Sequence, residues 1–103
     1  MAKEEIYERV LLACVLLFEE AKRVLAEASF GVNQAELERN LRDKVGLNLS
    51  SEKIRKILSD GIKKGFYENR NEIFFLTNAG RVEAENKRTK EAMRLILLGE
   101  YTM

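Results

Sequence analysis

The stretch that decides the fold runs from Asn33 to Gly80 and reads NQAELERNLRDKVGLNLSSEKIRKILSDGIKKGFYENRNEIFFLTNAG. Its first two segments carry apolar residues at spacings of three and four, which is typical of helices that bury one face. Two aromatic, β-prone segments follow, separated by a polar turn. The stretch ends on Leu-Thr-x-x-Gly. This order predicts helix, turn, helix, hairpin and then the start of a last helix.

Capping residues mark where the two helices begin and end. Asn33 is a good N-cap and Glu36 stands three residues later, which is a variant of the capping box. Ser50 is the expected N-cap of the second helix, while Gly46 and Gly65 are expected to end the two helices. Since the link after Gly46 is short, the two helices are expected to cross steeply.

The length of 103 residues predicts one compact domain over 1–103. We expect a mainly α fold with a small β-hairpin: a first helix over 3–28, the crossing helices over 33–64, the hairpin over 66–76 and a C-terminal helix over 78–98. Asn69-Arg70-Asn71 has turn composition, so Arg70 is expected at the hairpin tip, and Thr77 is the expected cap of the last helix. The apolar residues expected to be buried by the crossing helices are Leu37, Leu41, Ile54, Ile57, Leu58 and Ile62.

The first and last helices carry more apolar surface than one small domain is expected to cover. Between Val10 and Phe18 the first helix is apolar nearly all round, and the C-terminal helix has its apolar residues in its second half. We therefore expect both helices to be used for homodimerisation. The residues assigned to this interface are Ile6, Val10, Leu11, Cys14, Leu17, Phe18, Met93, Ile96 and Leu97, with Cys14 acting as a small buried hydrophobe.

Composition argues against catalysis and against a metal. The chain has no histidine and one cysteine, so the commonest general base and the commonest metal ligands are missing. Ser50 and Lys53 have a Ser-x-x-Lys spacing, but they stand at a helix start, where capping explains the serine. We expect no enzyme activity, no metal and no cofactor. The longest apolar run, Val10 to Phe18, has nine residues, so no membrane association is expected and the predicted location is cytoplasmic.

The positive charge is concentrated in the central stretch. The net charge of the whole chain is +1, but Asn33 to Arg70 holds nine basic and six acidic residues. This excess falls on the second crossing helix and on the hairpin. A basic helix of this kind is typical of a surface that contacts DNA phosphates, and an ordinary solvated helix face is the alternative.

The chain resembles winged helix-turn-helix transcription regulators. The resemblance rests on Leu49-Ser50-Ser51, Ile54-Arg55-Lys56-Ile57-Leu58, Lys64-Gly65-Phe66 and Phe74-Phe75-Leu76-Thr77-Asn78-Ala79-Gly80. PadR-type and MarR-type repressors share this outline, as do small archaeal chromatin and plasmid-partition proteins. The PadR type usually has prolines, which this chain lacks, and the MarR type is longer, so the subfamily stays open.

The resemblance implies a role for each part of the stretch. The second helix of the motif would enter the major groove of duplex DNA, and the hairpin, or wing, would meet the backbone or the minor groove. The DNA-binding residues implied in this way are Ser50, Ser51, Glu52, Lys53, Arg55, Lys56, Ser59, Lys63, Asn69, Arg70 and Asn71.

Two functional classes stay open at this point. The first is a homodimeric, sequence-specific double-stranded DNA-binding protein that regulates transcription, or that binds a plasmid partition site or shapes chromatin, and that would be nucleoid-associated. The second is a winged-helix module that binds protein and not DNA. The sequence does not identify an operator or a small-molecule effector.

Overall fold

The computed structural model describes residues 1–25 and 30–99. Its helices are α1 (Lys3–Val24), α2 (Gln34–Asn40), α3 (Ser51–Lys63), α4 (Asn78–Ala84) and α5 (Lys87–Leu97), and its strands are β1 (Val32–Asn33), β2 (Tyr67–Arg70) and β3 (Ile73–Leu76). A π-helical turn, Leu41–Val45, continues α2. The chain is mainly helical with a small antiparallel sheet, and this confirms the coarse fold class expected from the sequence.

The predicted caps are confirmed. Asn33 Oδ1 accepts the Glu36 N–H at 2.8 Å while Glu36 Oε1 accepts the Asn33 N–H at 3.1 Å, so the capping box is complete. Ser50 Oγ accepts the Lys53 N–H at 3.1 Å at the start of α3. Gly46 has a φ of +76°, a left-handed conformation that closes the π-helical turn and frees the chain to enter α3.

The sheet has one strand more than the predicted hairpin. Its order is β1-β3-β2, with β3 in the centre, and β1 pairs through Val32 with Phe74. No strand was expected where the predicted first helix connects to the crossing helices, because two residues are too few to show an alternating pattern. The added strand lies just before α2, so the sheet holds the start of that helix.

The hairpin turn also differs from the prediction. Asn71 and Glu72 are the two loop residues, with φ of 54° and 67°, and Arg70 pairs with Ile73 as the last residue of β2. Both loop residues are left-handed, which is the geometry of the tight turns that match strand twist. The prediction that Arg70 is the turn tip is therefore wrong, and Asn69 likewise belongs to the strand.

Helix α1 runs through the centre of the molecule, and this corrects four of the nine residues of the predicted dimer interface. Ile6, Val10, Leu11 and Cys14 are each 1% exposed or less, because the other helices and the sheet of the same chain cover α1 on several sides. These four residues therefore offer no surface to a second copy. Cys14 is confirmed as a buried hydrophobe, and burial raises the pKa of its thiol to about 12.

The end of α1 differs from the prediction as well. The helix ends at Val24, with Leu25 as its C-cap, so the expected continuation to Ala28 is wrong at Leu25 and otherwise falls outside the described residues. The backbone at Leu25 turns away from helical geometry, with a ψ of 1°, and the returning chain brings the Gly31 carbonyl within 2.6 Å of Lys22 Nζ.

The C-terminal part is two helices where one was predicted. The break falls at Glu85 and Asn86, and the Asn86 side chain caps α5 by accepting the Arg88 N–H at 2.9 Å. The break lets α5 fold back along α1, where Ala92 and Thr89 are buried. The polar stretch in the middle of the predicted helix is therefore the place where one helix ends and the next begins.

Candidate nucleic-acid interface

The candidate interface is the outward side of α3. Ile54, Ile57 and Leu58 face the core, as predicted, whereas Ile62 is 37% exposed and does not. Ile62 lies toward the outward side because it stands two turns after Arg55 on a helix of 3.6 residues per turn. The exposed residues of this side, which we call the α3 arc, are Ser51, Glu52, Arg55, Lys56, Ser59, Ile62 and Lys63.

Two cations of the α3 arc have no partner within the part of the chain that the structure describes. Among residues 1–25 and 30–99, neither Arg55 nor Lys63 forms an ion pair or a side-chain hydrogen bond. Lys56 pairs with Asp60 one turn later at 3.1 Å, and both side chains are well exposed, so this pair is weak and easily exchanged. Arg55 and Lys63 are therefore the cations of α3 that an anionic ligand can bind without breaking an existing contact.

Lys53 lies outside the arc, on the side of α3 that faces α1. Its ammonium is 2.6 Å from the Glu4 carboxylate, and at the other end of α3 Lys64 lies 2.6 Å from Glu8. Glu4 and Glu8 are one turn apart on α1, so two ion pairs tie the two helices together. Ion pairs between residues so far apart in the chain have no local sequence pattern, so counting charges along the chain does not predict them.

The N-terminus of α3 is held by a polar cluster with the start of α2. Ser51 Oγ donates to Glu38 Oε1 at 2.9 Å, and the Gln34 amide donates to Glu38 Oε2 and to the Ser51 carbonyl, both at 2.9 Å. This cluster fixes how α2 and α3 cross. It also occupies the Ser51 hydroxyl, and the carboxylates of Glu38 and Glu52 lie close to the end of the helix that would otherwise attract phosphate.

The hairpin presents a mixed charge next to the α3 arc. Arg70 pairs with Glu68 at 2.7 Å, and its guanidinium lies 5.0 Å from the centre of the Phe75 ring. Asn69 Oδ1 accepts the Glu72 N–H at 2.9 Å and so holds the turn in shape. Glu72 at the tip adds a negative charge that the sequence analysis did not weigh.

A cleft of about 260 Å³ separates the α3 arc from the hairpin. Its walls include Arg55 and Ser59 of α3, Asn69 and Glu72 of the hairpin, and Gln34 of α2. The structure thus brings the two parts of the predicted DNA-binding set to one surface. Gln34 and Glu72 were missed because neither has a local pattern that distinguishes it from an ordinary surface residue.

The Leu-Thr-x-x-Gly segment fastens the hairpin to α4. Thr77 Oγ1 accepts the Gly80 N–H at 3.0 Å and bonds back to the Gly65 carbonyl, while the Thr77 N–H donates to the Phe66 carbonyl at 3.0 Å. A Cβ at Gly80 would run into the same Phe66 carbonyl oxygen. The threonine and the glycine are therefore needed together, because one caps the helix and the other lets the backbones approach.

A buried carboxylate holds this segment on α1. Glu19 is 3% exposed; its Oε2 accepts the Leu76 N–H at 2.8 Å and its Oε1 accepts from Arg81 at 2.8 Å. Glu19 thus links α1, β3 and α4 at one point. These two contacts hold the end of β3 and the first turn of α4 against α1.

The remaining residues assigned to the dimer interface lie at the surface or near it. Leu17 and Leu97 are 60% and 57% exposed, whereas Phe18, Met93 and Ile96 are half-buried.

Within residues 1–25 and 30–99 there is no cluster of three acidic or cysteine side chains able to hold a metal ion. In the same described part, no helix is both long enough and apolar enough to cross a bilayer.

Comparison of the chain with family models, with curated proteins and with solved structures found no match in any of the three.

Proposed function

We propose that the chain is a homodimeric, sequence-specific double-stranded DNA-binding protein of winged helix-turn-helix architecture, and that it acts as a cytoplasmic, nucleoid-associated transcriptional regulator. In this proposal α2 and α3 form the helix-turn-helix, and β2 and β3 form the wing. The observation that carries it is the α3 arc, which is exposed along its length and holds two cations, Arg55 and Lys63, that have no partner among the described residues.

The position of Arg55 suits base recognition. It stands in the second turn of α3, and the planar guanidinium matches the two acceptors of a guanine edge. Lys63 lies two turns further on, where its ammonium would meet a phosphate. Lys56 would exchange its contact with Asp60 for another phosphate.

The dimensions of the chain agree with a dimer on one side of the duplex. The Cα positions extend over 37 × 28 × 26 Å. Two copies placed side by side would set their α3 helices about one protomer apart, close to the ~34–36 Å that separates successive major grooves on one face of B-DNA. A pseudo-palindromic site follows from a two-fold dimer.

The wing would contribute less than α3. Arg70 already has Glu68 and the Phe75 ring as partners, and Glu72 at the tip repels phosphate. Asn69 and Asn71 carry no charge and would touch the sugar-phosphate backbone. In this proposal α3 therefore supplies the specificity and most of the affinity.

A protein-binding winged helix is the second candidate, and the acidic residues favour it. Glu52 is part of the α3 arc, Glu38 lies at its start on α2, and Glu68 and Glu72 lie on the hairpin beside it. The net charge of +1 gives no general attraction to DNA. In that case Arg55 and Lys63 would pair with acidic side chains of a partner. A plasmid partition-site or chromatin-architectural DNA binder differs from a regulator in the spread of its sites, which footprinting on long DNA would distinguish.

The test is a selection of duplexes from a random pool, followed by titration of variants on the selected site and on random DNA. Arg55→Ala should cost about 1–3 kcal/mol on the selected site and less on random DNA. The control is Lys87→Ala, which removes an exposed charge at the start of α5 that forms no ion pair within residues 1–25 and 30–99, and which should leave both affinities unchanged. Equal losses on both DNAs would reduce Arg55 to a phosphate contact, and a pool that yields no preferred duplex would favour the protein-binding candidate.

A further inference from the structure

A cavity of about 330 Å³ lies between α1 and α2, on the side of α2 that faces away from α3. Gln34 and Glu38, which contact Ser51 of α3, stand two residues before Glu36 and Asn40, and residues two apart point to opposite sides of an α-helix. A ligand in this cavity would therefore leave the α3 arc free. We call it the α2 pocket, and its lining residues are Phe18, Glu36, Arg39, Asn40, Asp43 and Lys44.

Three polar side chains of the α2 pocket are available to a ligand. Within residues 1–25 and 30–99, Arg39, Asn40 and Lys44 form no ion pair and no side-chain hydrogen bond. They supply two cations and one amide, and all three border the same cavity. A ligand can bind them without breaking a contact that the described part of the chain already makes.

The two acidic residues of the α2 pocket each have a cation of their own. A Glu36 carboxylate oxygen lies 3.2 Å from Lys22 Nζ, and an Asp43 carboxylate oxygen lies 3.4 Å from Arg42 Nε. Since each carboxylate is balanced in this way, the two cations without a partner leave the surroundings of the pocket with a positive charge. The α2 pocket therefore favours an anionic ligand.

The π-helical turn explains why these two cations border one cavity. In an α-helix of about 3.6 residues per turn, Arg39 and Lys44 would point ~140° apart. In the turn, the Gly46 N–H donates to the carbonyl of Leu41, five residues back, and this pattern brings residues five apart toward the same side of the helix. Single π-helical turns of this kind occur frequently at functional sites.

We infer that the α2 pocket binds an adenine nucleotide of monophosphate size. Arginine and lysine bind phosphate oxygens through charge-assisted hydrogen bonds. The half-buried Phe18 supplies an aromatic wall on which a base stacks, and the Asn40 amide matches the N6 and N7 groups of adenine. The volume is at the lower end of the range of small-molecule sites, about 300–1,000 Å³, and so suits one base and one phosphate.

Other small ligands would use only part of the α2 pocket. Free phosphate would meet the two cations but leave the Phe18 ring and the Asn40 amide without a contact, and a nucleoside would leave the cations without one. A metal ion is disfavoured, since the described residues hold no group of three acidic or cysteine side chains. This inference goes beyond the proposed function and does not depend on DNA binding.

The experiment is isothermal titration calorimetry of the full chain, without DNA, with AMP, adenosine, CMP and inorganic phosphate. AMP should bind once per chain with a Kd of about 10–100 µM. Adenosine and phosphate should each bind about tenfold more weakly or less, because each lacks part of the contacts, and CMP should bind more weakly because cytosine lacks the N6 and N7 groups. No binding of AMP at about 1 mM, or phosphate or CMP that binds as tightly as AMP, would overturn the inference.

Variants test whether the nucleotide occupies the α2 pocket. Arg39→Ala and Lys44→Ala should each stay folded, because both residues are exposed, and should each weaken AMP binding by about tenfold, because each removes a charge-assisted hydrogen bond. Asn40→Ala should reduce the preference for AMP over CMP. The control is Lys87→Ala, which removes an exposed lysine of α5 outside the pocket and should bind AMP as the parent does. An equal loss in Lys87→Ala, or parent affinity in Arg39→Ala and Lys44→Ala, would overturn the assignment.

Discussion

Replacement of Glu19 by glutamine should destabilise the fold far more than the same change at its neighbour Glu20. Both glutamates contact Arg81, at 2.8 Å and 3.7 Å respectively. Glu19 is 3% exposed and also accepts the Leu76 N–H, whereas the Glu20 side chain is 55% exposed and forms no second polar contact among the described residues. The pair therefore compares a buried link with a solvated one at a shared partner.

The magnitude follows from the two hydrogen bonds of Glu19. Each is made to a charged group, and such bonds contribute about 1.5–3 kcal/mol. The glutamine side chain keeps one acceptor oxygen, which can accept from either the Leu76 N–H or the Arg81 guanidinium. Its amide NH₂ group then faces the other of these two donors, so one hydrogen bond is lost and two donor groups are placed in contact. Since Arg81 is partly exposed and keeps some hydration, we expect a loss of about 2–3 kcal/mol, against about 0.5 kcal/mol or less for Glu20→Gln.

The assay is urea unfolding at neutral pH, checked by the thermal midpoint. For a domain of this size each kcal/mol lowers the midpoint by about 4–8 °C. Glu19→Gln should lower the thermal midpoint by at least twice as much as Glu20→Gln does. Both variants should keep the helical circular dichroism of the parent. Equal stability of the two variants would refute the assignment of Glu19 as the link between α1, β3 and α4.

Three further predictions concern buried positions. Gly80→Ala should cost about 1–3 kcal/mol in urea unfolding, because the clash with the Phe66 carbonyl exceeds the gain in helix propensity; a variant more stable than the parent would contradict this. The pKa of the buried Cys14 thiol is raised to about 12, above the ~8.5 of an exposed thiol, so burial favours the protonated form. The free energy of unfolding of the parent, relative to that of Cys14→Ala, should therefore be constant below about pH 8.5 and fall as the pH rises above that value. Tyr67→Phe should leave stability unchanged or raise it by up to about 1 kcal/mol, because the buried Tyr67 hydroxyl has no hydrogen-bond partner among the described residues; a loss above ~1 kcal/mol would reveal a partner.

The elements with local signals could be predicted from the sequence. Asn33, Ser50 and Thr77 cap helices through bonds to residues three positions away, so the pattern that predicts them contains both partners. The apolar spacing of α3 likewise predicted its outward residues, apart from Ile62, which is exposed, and Lys53, which faces α1. Local spacing predicts helix caps and helix faces because the residues that form them lie within one or two turns of one another in the sequence.

The features that depend on distant residues could not be predicted. Val10 and Cys14 look like an interface in isolation, and only the fold shows that the same chain covers them. Strand β1 exists because β3 lies beside it, and α5 folds back because Asn86 ends one helix and caps another. The pairing of Lys53 with Glu4 joins residues far apart in sequence, so the charge of α3 was overestimated from its composition.

The salt dependence of duplex binding tests the central claim most directly. Fluorescence anisotropy of a labelled duplex, titrated with the parent at several salt concentrations, gives the slope of log Kobs against log salt, which is about −0.9 for each phosphate contact. The claim predicts clear binding at low salt, a steep slope for the parent, and a slope reduced by about one unit per subunit in Lys63→Ala. No binding at low salt, or an unchanged slope in Lys63→Ala and in Arg55→Ala alike, would contradict a DNA-binding role for the α3 arc.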